Sequence, residues 1–400
     1  MDINIVVGPP ARKDDFYDRK VFIETIWKRL VKGNILIAAP RRTGKTSVML
    51  RLRDEPEEGF DVFFMDVEWI KTPSEFIAEI ATELLKKDKQ KALIKSAKGA
   101  PKGIVNTLKK YVDELQFAEF KLKLAKDFSE NWEEKGRELI SLAVNSENKI
   151  VFLVDEFPLM MDNMIEHDST EAKKFLNWFR ALRQTEEKDN LRFVIGGSIG
   201  TERILKKIGA TATINDLERV QLHPFSEIEA RGFLKELMRS EKIKPSKQVL
   251  DRIIETSGVH VPYFLQVLVS EIVKEKRDYS KVSLTPELVE KVYNERVLGV
   301  ECRTYFEHYY ERLKKYYSPK EEKAAKEILK AASKEENVRK KTLYAIYLKA
   351  TSESDDPDGF ISLMNDLENE FYLSHIQDDQ YCFSSKILKD WWIRHYAIVE

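Results

Sequence analysis

The chain has few of the residues that staple small folds or bind metals. Of its 400 residues only Cys302 and Cys382 are cysteines, with no pairing pattern and no CxxC spacing. That excludes a disulfide scaffold and a thiolate zinc site, and it fits a reducing cytosol. The six histidines are scattered, none at ligand spacing from another. No apolar run approaches the roughly 18 residues of a membrane span, so no membrane partner is expected. Met1-Asp2-Ile3-Asn4 shows no basic stretch before an apolar one, so no signal peptide is expected and the expected location is cytoplasmic. An excess of charge is missing too: Lys+Arg 67 nearly cancels Asp+Glu 68, for a net charge of -1. No global field would hold such a chain on nucleic acid or an anionic membrane, so binding of that kind needs a local patch. No internal repeat or low-complexity tract is present.

What is there is the composition of a packed protein, 42% hydrophobic and 10% aromatic. The length is too great for one ordinary core and predicts two or three domains. Short apolar runs at Ile35–Ala39, Val62–Val67, Ile150–Val154, Leu191–Ile195 and Arg219–Leu222 alternate with helical patterns. Nearly continuous apolar runs of strand length suit strands covered on both faces, and the alternation predicts an α/β fold with a doubly wound, largely parallel sheet sandwiched by helices. Thr72-Pro73-Ser74-Glu75, Ser318-Pro319-Lys320-Glu321 and Ser226 with Glu229 read as capped helix starts, and Thr285-Pro286 opens another. After about Phe225 strand signals vanish for some ninety residues, which predicts an all-α domain. Helices at about Ser318–Ser333, Lys340–Ala350 and Asp358–Glu370 then precede a hairpin, Tyr372–Ile376 and Tyr381–Ser384 around Asp378-Asp379. That is the element order of a winged helix.

Between the first strand and the next helix lies Ala39-Pro40-Arg41-Arg42-Thr43-Gly44-Lys45-Thr46, followed by Ser47. This is the P-loop (Walker A) pattern in its proper context, strand before and helix after, with Ala39 where glycine is usual. Gly44 lets successive backbone N–H groups face phosphates, and the helix N-terminus adds partial positive charge. Lys45 is expected to bridge the β- and γ-phosphates, and the Thr46 hydroxyl to ligate Mg²⁺. The missing glycine predicts weakened rather than lost binding. No N-K-x-D guanine-reading motif occurs, which favours ATP as the nucleotide.

A second acidic site ends the strand Ile150–Val154 with Asp155-Glu156. In this Walker B arrangement the first acid holds Mg²⁺, directly or through water, and the second polarises the attacking water. Glu156 is the expected catalytic base; a merely solvated Asp-Glu turn is the alternative. The strand Leu191–Ile195 ends in Gly196-Gly197-Ser198, where Ser198 reads either as a sensor of the γ-phosphate or as part of a plain turn.

From Phe16 to Tyr396 these motifs resemble the archaeal-type P-loop ATPases of the STAND branch, relatives of the AAA+ and origin-recognition ATPases. The family's P-R-R-x-G-K-T-S is matched at Pro40–Ser47, its Walker B at Asp155-Glu156, and its sensor strand end at Gly197-Ser198. Leu222-His223-Pro224-Phe225-Ser226 resembles its L-x-P-F-S step into a helical lid. Ser257–Tyr263 resembles the lid's G-x-P-Y element with Gly258 and Pro262 spaced further apart. Phe16-Tyr17-Asp18-Arg19 resembles the upstream h-h-G-R-E motif near the adenine, with Asp18 for Gly and Lys20 for Glu. The resemblance implies an NTP-driven switch in which sheet domain, lid and winged helix close around ATP and open after hydrolysis. It places Arg19, Pro262 and the loop Pro40–Ser47 among the nucleotide-binding residues. It leaves the arginine finger open among Arg180, Arg183, Arg203 and Arg219.

The expected domains are 1–33, a segment packing near the nucleotide; 34–224, the ATPase domain with a basic insertion at about 86–130; 225–315, the helical lid; and 316–400, the winged helix. From Thr351 to Ser385 there is no Lys or Arg and there are nine acids, so a recognition helix here would be repelled from DNA. The winged helix therefore reads as a protein-contact domain. Nine lysines between Lys86 and Lys110, against Asp88 alone, form a solvated face or a contact for nucleic acid or an acidic partner. Three readings follow. One is an ATP-hydrolysing switch controlling self-assembly or a protein partner. Another is a DNA-associated ATPase using the basic insertion, with DNA as the less favoured partner. The third is a nucleotide-binding scaffold with little hydrolysis.

Overall fold

The computed structural model describes residues 3–86, 119–144, 148–184, 190–197, 200–278 and 283–397. Backbone contacts group the chain into two compact units. A sheet unit comprises Arg19–Ala39 and Lys45–Leu222, and a helical unit gathers Met1–Asp18, Pro40–Gly44 and His223–Glu400. The residues expected to form a lid and a winged helix thus fall in one unit.

The sheet unit is built on five parallel strands, β1 Ile35–Ala38, β2 Phe60–Asp66, β3 Lys149–Asp155, β4 Leu191–Gly197 and β5 Glu218–Gln221. Their order is β2-β3-β4-β1-β5, so β4 lies between the strand before the P-loop and the strand that ends in Asp155. β3 and β4 are buried from end to end apart from Lys149, as their apolar runs predict for strands with helices on both faces. The exception in composition is Arg192, buried in β4. Its guanidinium donates to the carbonyls of Leu30 and Val31, which end the helix Lys20–Leu30 and would otherwise lack partners. The aromatic core stacks Phe152 on Phe193 and sets Phe179 edge-on to Phe193. One boundary differs from the sequence expectation. β4 runs on through Gly196 and Gly197, both buried, because a strand without side chains there can pass close to its neighbours.

In the helical unit the capped starts form as their sequences predict. Ser226 and Ser318 make reciprocal capping boxes with Glu229 and Glu321, and Thr285 accepts from the Leu288 N–H. Thr72 does the same with Glu75 in the sheet unit. Helices Glu227–Ser240, Lys247–Ser257, Pro262–Asp278 and Pro286–Val292 lead through a π-helical turn into Arg303–Tyr316. Helices Pro319–Lys334, Lys340–Thr351, Pro357–Asn369 and Lys386–His395 follow, with a three-stranded antiparallel sheet, β6 Val338–Arg339, β8 Gln380–Phe383 and β7 Leu373–Ile376. Gln377, Asp378 and Asp379 join β7 to β8, and the two aspartates take φ of 61° and 54°, left-handed values that Asp tolerates in a tight hairpin turn. A buried ion pair, Arg312 with Glu370 at 2.7 Å, ties Arg303–Tyr316 to the end of Pro357–Asn369. Both cysteines are free. Among the described residues no helix is long and apolar enough to cross a membrane.

Candidate phosphate site

In the sheet unit the carboxyl ends of the strands bring the two motifs together. Lys45 and Thr46 open the helix Lys45–Asp54, and Asp155 closes β3. The Thr46 hydroxyl donates to Asp155 Oδ2 across 2.6 Å, and the Glu156 N–H donates to Asp155 Oδ1 at 3.1 Å. Asp155 is 2% exposed, and that burial raises its pKa above the ordinary carboxylate range, while the charge of Lys45 and the Thr46 hydrogen bond pull it back down. Lys45 is itself buried. The arrangement is a buried carboxylate, a cation and a hydroxyl at one helix N-terminus, which suits an anion with its counter-cation.

Glu156 takes φ 58°, a left-handed conformation that a non-glycine residue adopts at some cost, at the N-terminal end of the helix Phe157–His167. The reason two glycines close β4 lies outside their local sequence. A Cβ on Gly196 would stand 2.7 Å from Asp155 Oδ1 and 2.9 Å from Met49 Cε, and one on Gly197 2.5 Å from Thr201 Oγ1. Gly196 is therefore the gap into which the Asp155 carboxylate fits. Ser198, the expected sensor, lies outside the described residues, as does 87–110 of the lysine-rich stretch.

In the helical unit the loop Pro40–Gly44 is held from within. Thr43, 1% exposed, donates its hydroxyl to the Pro40 carbonyl at 2.8 Å. Arg42 and Gly44 both take positive φ, 67° and 97°. The Arg42 guanidinium lies 4.4 Å over the Tyr263 ring and donates to the Gly8 carbonyl at 3.3 Å. Arg41 sits close enough that, with Arg42 and Arg312, it helps hold His308 near a pKa of about 3, burial being the larger cause. Pro262 begins the helix Pro262–Asp278, and its neighbour Tyr263 makes the contact to Arg42. Tyr263 carried no signal of its own beyond its place in the motif.

Ser47 is buried in the first turn of its helix. Arg19, buried, precedes the helix Lys20–Leu30 with φ 70°. Asp18, where the upstream motif has glycine, takes φ 54°, the conformation for which glycine is used and which Asp tolerates better than most residues. Tyr17 of the same motif packs edge-on to Phe225 within the helical unit. Of the candidate finger arginines, Arg183 is committed elsewhere. It is 4% exposed and donates to both oxygens of Asp216, at 2.8 Å each, and to the Thr213 carbonyl at 2.6 Å. Arg219 pairs with Glu202 at the surface. Among the described residues no group of three or more His, Cys, Asp or Glu side chains could hold a metal unaided.

Residues 12–204 match the family described as Predicted AAA-ATPase. No curated protein matches the chain by sequence. Among solved structures, the Walker-type ATPase paby2304 of Pyrococcus abyssi is similar over 97% of this chain and 99% of its own, at 17% identity and a TM-score of 0.62. The ORC2 protein of Aeropyrum pernix, solved as ADPNP–ADP complexes, covers 93% of this chain and 92% of its own at 10% identity and a TM-score of 0.53. Along nearly its whole length the chain carries the fold of a Walker-type P-loop ATPase, and over residues 12–204 it resembles the predicted AAA-ATPases.

Proposed function

We propose that this chain binds ATP with magnesium, hydrolyses it, and uses the cycle as a switch over self-assembly or a protein partner in the cytoplasm. The observation that carries the reading is the Thr46–Asp155 hydrogen bond beside Lys45. A hydroxyl and a carboxylate are the hard oxygen donors that magnesium prefers, and a buried carboxylate not fully compensated by Lys45 is a place where a cation is welcome. The metal would be held by Thr46 and Asp155 together with phosphate oxygens, and it would supply charge neutralisation on those oxygens. Lys45 binds the β- and γ-phosphates. The N–H groups of Arg41 to Ser47 turn toward them, and Glu156 orients the attacking water and takes its proton. Ser198 is assigned the γ-phosphate contact, and Arg19 and Pro262 the nucleotide's other end. The ADPNP–ADP complexes of the Aeropyrum pernix ORC2 protein support nucleotide binding by this fold.

The helical unit is read as a lid, 225–315, followed by a winged helix, 316–400, that serves protein contact. The test is ATP hydrolysis by the parent chain, Lys45→Ala and Glu156→Gln, with native mass recorded with and without ATP. Turnover by the parent, no binding by Lys45→Ala and ATP trapped by Glu156→Gln are the expected results. Parent turnover no greater than that of Glu156→Gln would overturn the catalytic role and leave the scaffold reading.

A further inference from the structure

We infer that Tyr263 is a positioning residue for the phosphate loop, holding Arg42 in the backbone conformation that lets the loop's N–H groups converge on an anion. The inference rests on the reading that Pro40–Ser47 binds phosphate. Successive N–H groups point to one side when left-handed and right-handed residues alternate, which makes an anion-binding nest. In this loop the left-handed positions are Arg42, φ 67°, and Gly44, φ 97°. Gly44 reaches that region freely. Arg42 carries a Cβ that opposes it and therefore needs an anchor.

The anchor lies at the other end of its side chain. The guanidinium sits 4.4 Å above the ring of Tyr263 and donates to the Gly8 carbonyl at 3.3 Å. Tyr263 can act as a fixed platform because it is 6% exposed and packs against Phe264 and edge-on to Tyr305. Its phenol is pushed up to about 12, first by burial, so the guanidinium meets a neutral ring throughout the physiological range. Thr43, between the two left-handed residues, is locked by its own hydroxyl bond to Pro40. Arg42 therefore sets the turn through a contact 221 positions away, and the π face of residue 263 carries it.

The test is a double-mutant cycle in the full chain. Tyr263→Leu keeps apolar bulk and loses the π face, Tyr263→Phe keeps both, and Arg42→Gly reaches the left-handed region with no anchor. Two readouts are taken: ATP affinity, and hydrogen exchange of residues 38–47 without nucleotide. Tyr263→Leu is expected to weaken ATP about threefold and to speed exchange of the loop, from the size of a half-exposed cation–π contact. Tyr263→Phe should match the parent. In the Arg42→Gly background Tyr263→Leu should change neither readout. Equal effects of Tyr263→Leu with Arg42 and with Gly at position 42 would overturn the inference, because they would mark Tyr263 as general packing. If the parent chain does not bind ATP, the proposed function fails, while the exchange cycle still decides the role of Tyr263.

Discussion

A Cβ placed on Gly196 would stand 2.7 Å from Asp155 Oδ1, so the strand between the P-loop strand and the Asp155 strand is bare where the carboxylate needs room. The carboxylate is held by Thr46 at 2.6 Å and by the Glu156 N–H at 3.1 Å, and it has no slack to move aside without losing one of them. Gly196→Ala should therefore lower ATP turnover at least tenfold and cost about 1–3 kcal/mol of stability through overpacking. Gly33→Ala, whose added methyl meets nothing within 4 Å, is the control and should leave turnover unchanged. Full turnover by Gly196→Ala would mean that the carboxylate relocates freely and is not the fixed ligand proposed.

Much of this site is legible in sequence because its parts are local. The P-loop, the strand ending in Asp155-Glu156 and the capping residues each span fewer than ten positions and obey a period or a cap rule. The role of Gly196 is not legible, since it depends on β4 threading between β1 and β3. The Arg42–Tyr263 contact is hidden for the same reason: nothing near either residue specifies the other. The helix Arg303–Tyr316 is legible by contrast, because it sets Phe306, Tyr309 and Leu313 on one face and Arg303, Glu307, Glu311 and Lys314 on the other. Two-residue β6 is too short for any periodicity, and it exists because Tyr381 and Gln380 offer it an edge.

The Arg183–Asp216 pair separates structural from catalytic arginine. Arg183 fills its donors with Asp216 and the Thr213 carbonyl while almost wholly buried. Removing the guanidinium leaves a carboxylate in a poorly solvated place, so Arg183→Met should destabilise the sheet unit by about 3 kcal/mol. Turnover per folded molecule should stay within about twofold. A finger role would instead show as a loss on the order of a thousandfold in protein that melts normally.

His308 gives the helical unit a signature in acid. Burial and the charges of Arg42, Arg41 and Arg312 lower its pKa from 6.5 to about 3. An unfolded chain takes up this proton near pH 6.5 and the folded one only near 3, so the stability contributed by neutral His308 is full above pH 6.5 and is lost progressively down to about pH 3. By pH 5 the loss should be on the order of 2 kcal/mol. His308→Gln removes the proton and should flatten that part of the curve of urea midpoint against pH. Parallel curves for parent and variant between pH 7 and 5 would show that the imidazole is not held neutral in the fold.

The acids between Thr351 and Ser385 have two kinds of work, and the division sets the expectation for DNA. Glu370 is consumed by Arg312, and Asp356 caps the helix Pro357–Asn369 while accepting from Tyr347 at 2.6 Å. Glu353, Asp355, Asp358, Asp378 and Asp379 remain exposed; Lys320 pairs with Glu353, and the stretch itself holds no Lys or Arg. A surface of that sign repels the phosphate backbone. The chain should give no electrophoretic shift of duplex DNA at moderate salt. A shift that persists when the lysines from Lys86 to Lys110 are changed to glutamine would mean that DNA binds elsewhere on the chain, and would sink the expectation drawn from the acidic stretch. A shift that those substitutions abolish would instead favour the DNA-associated ATPase, with the lysine-rich stretch as its contact.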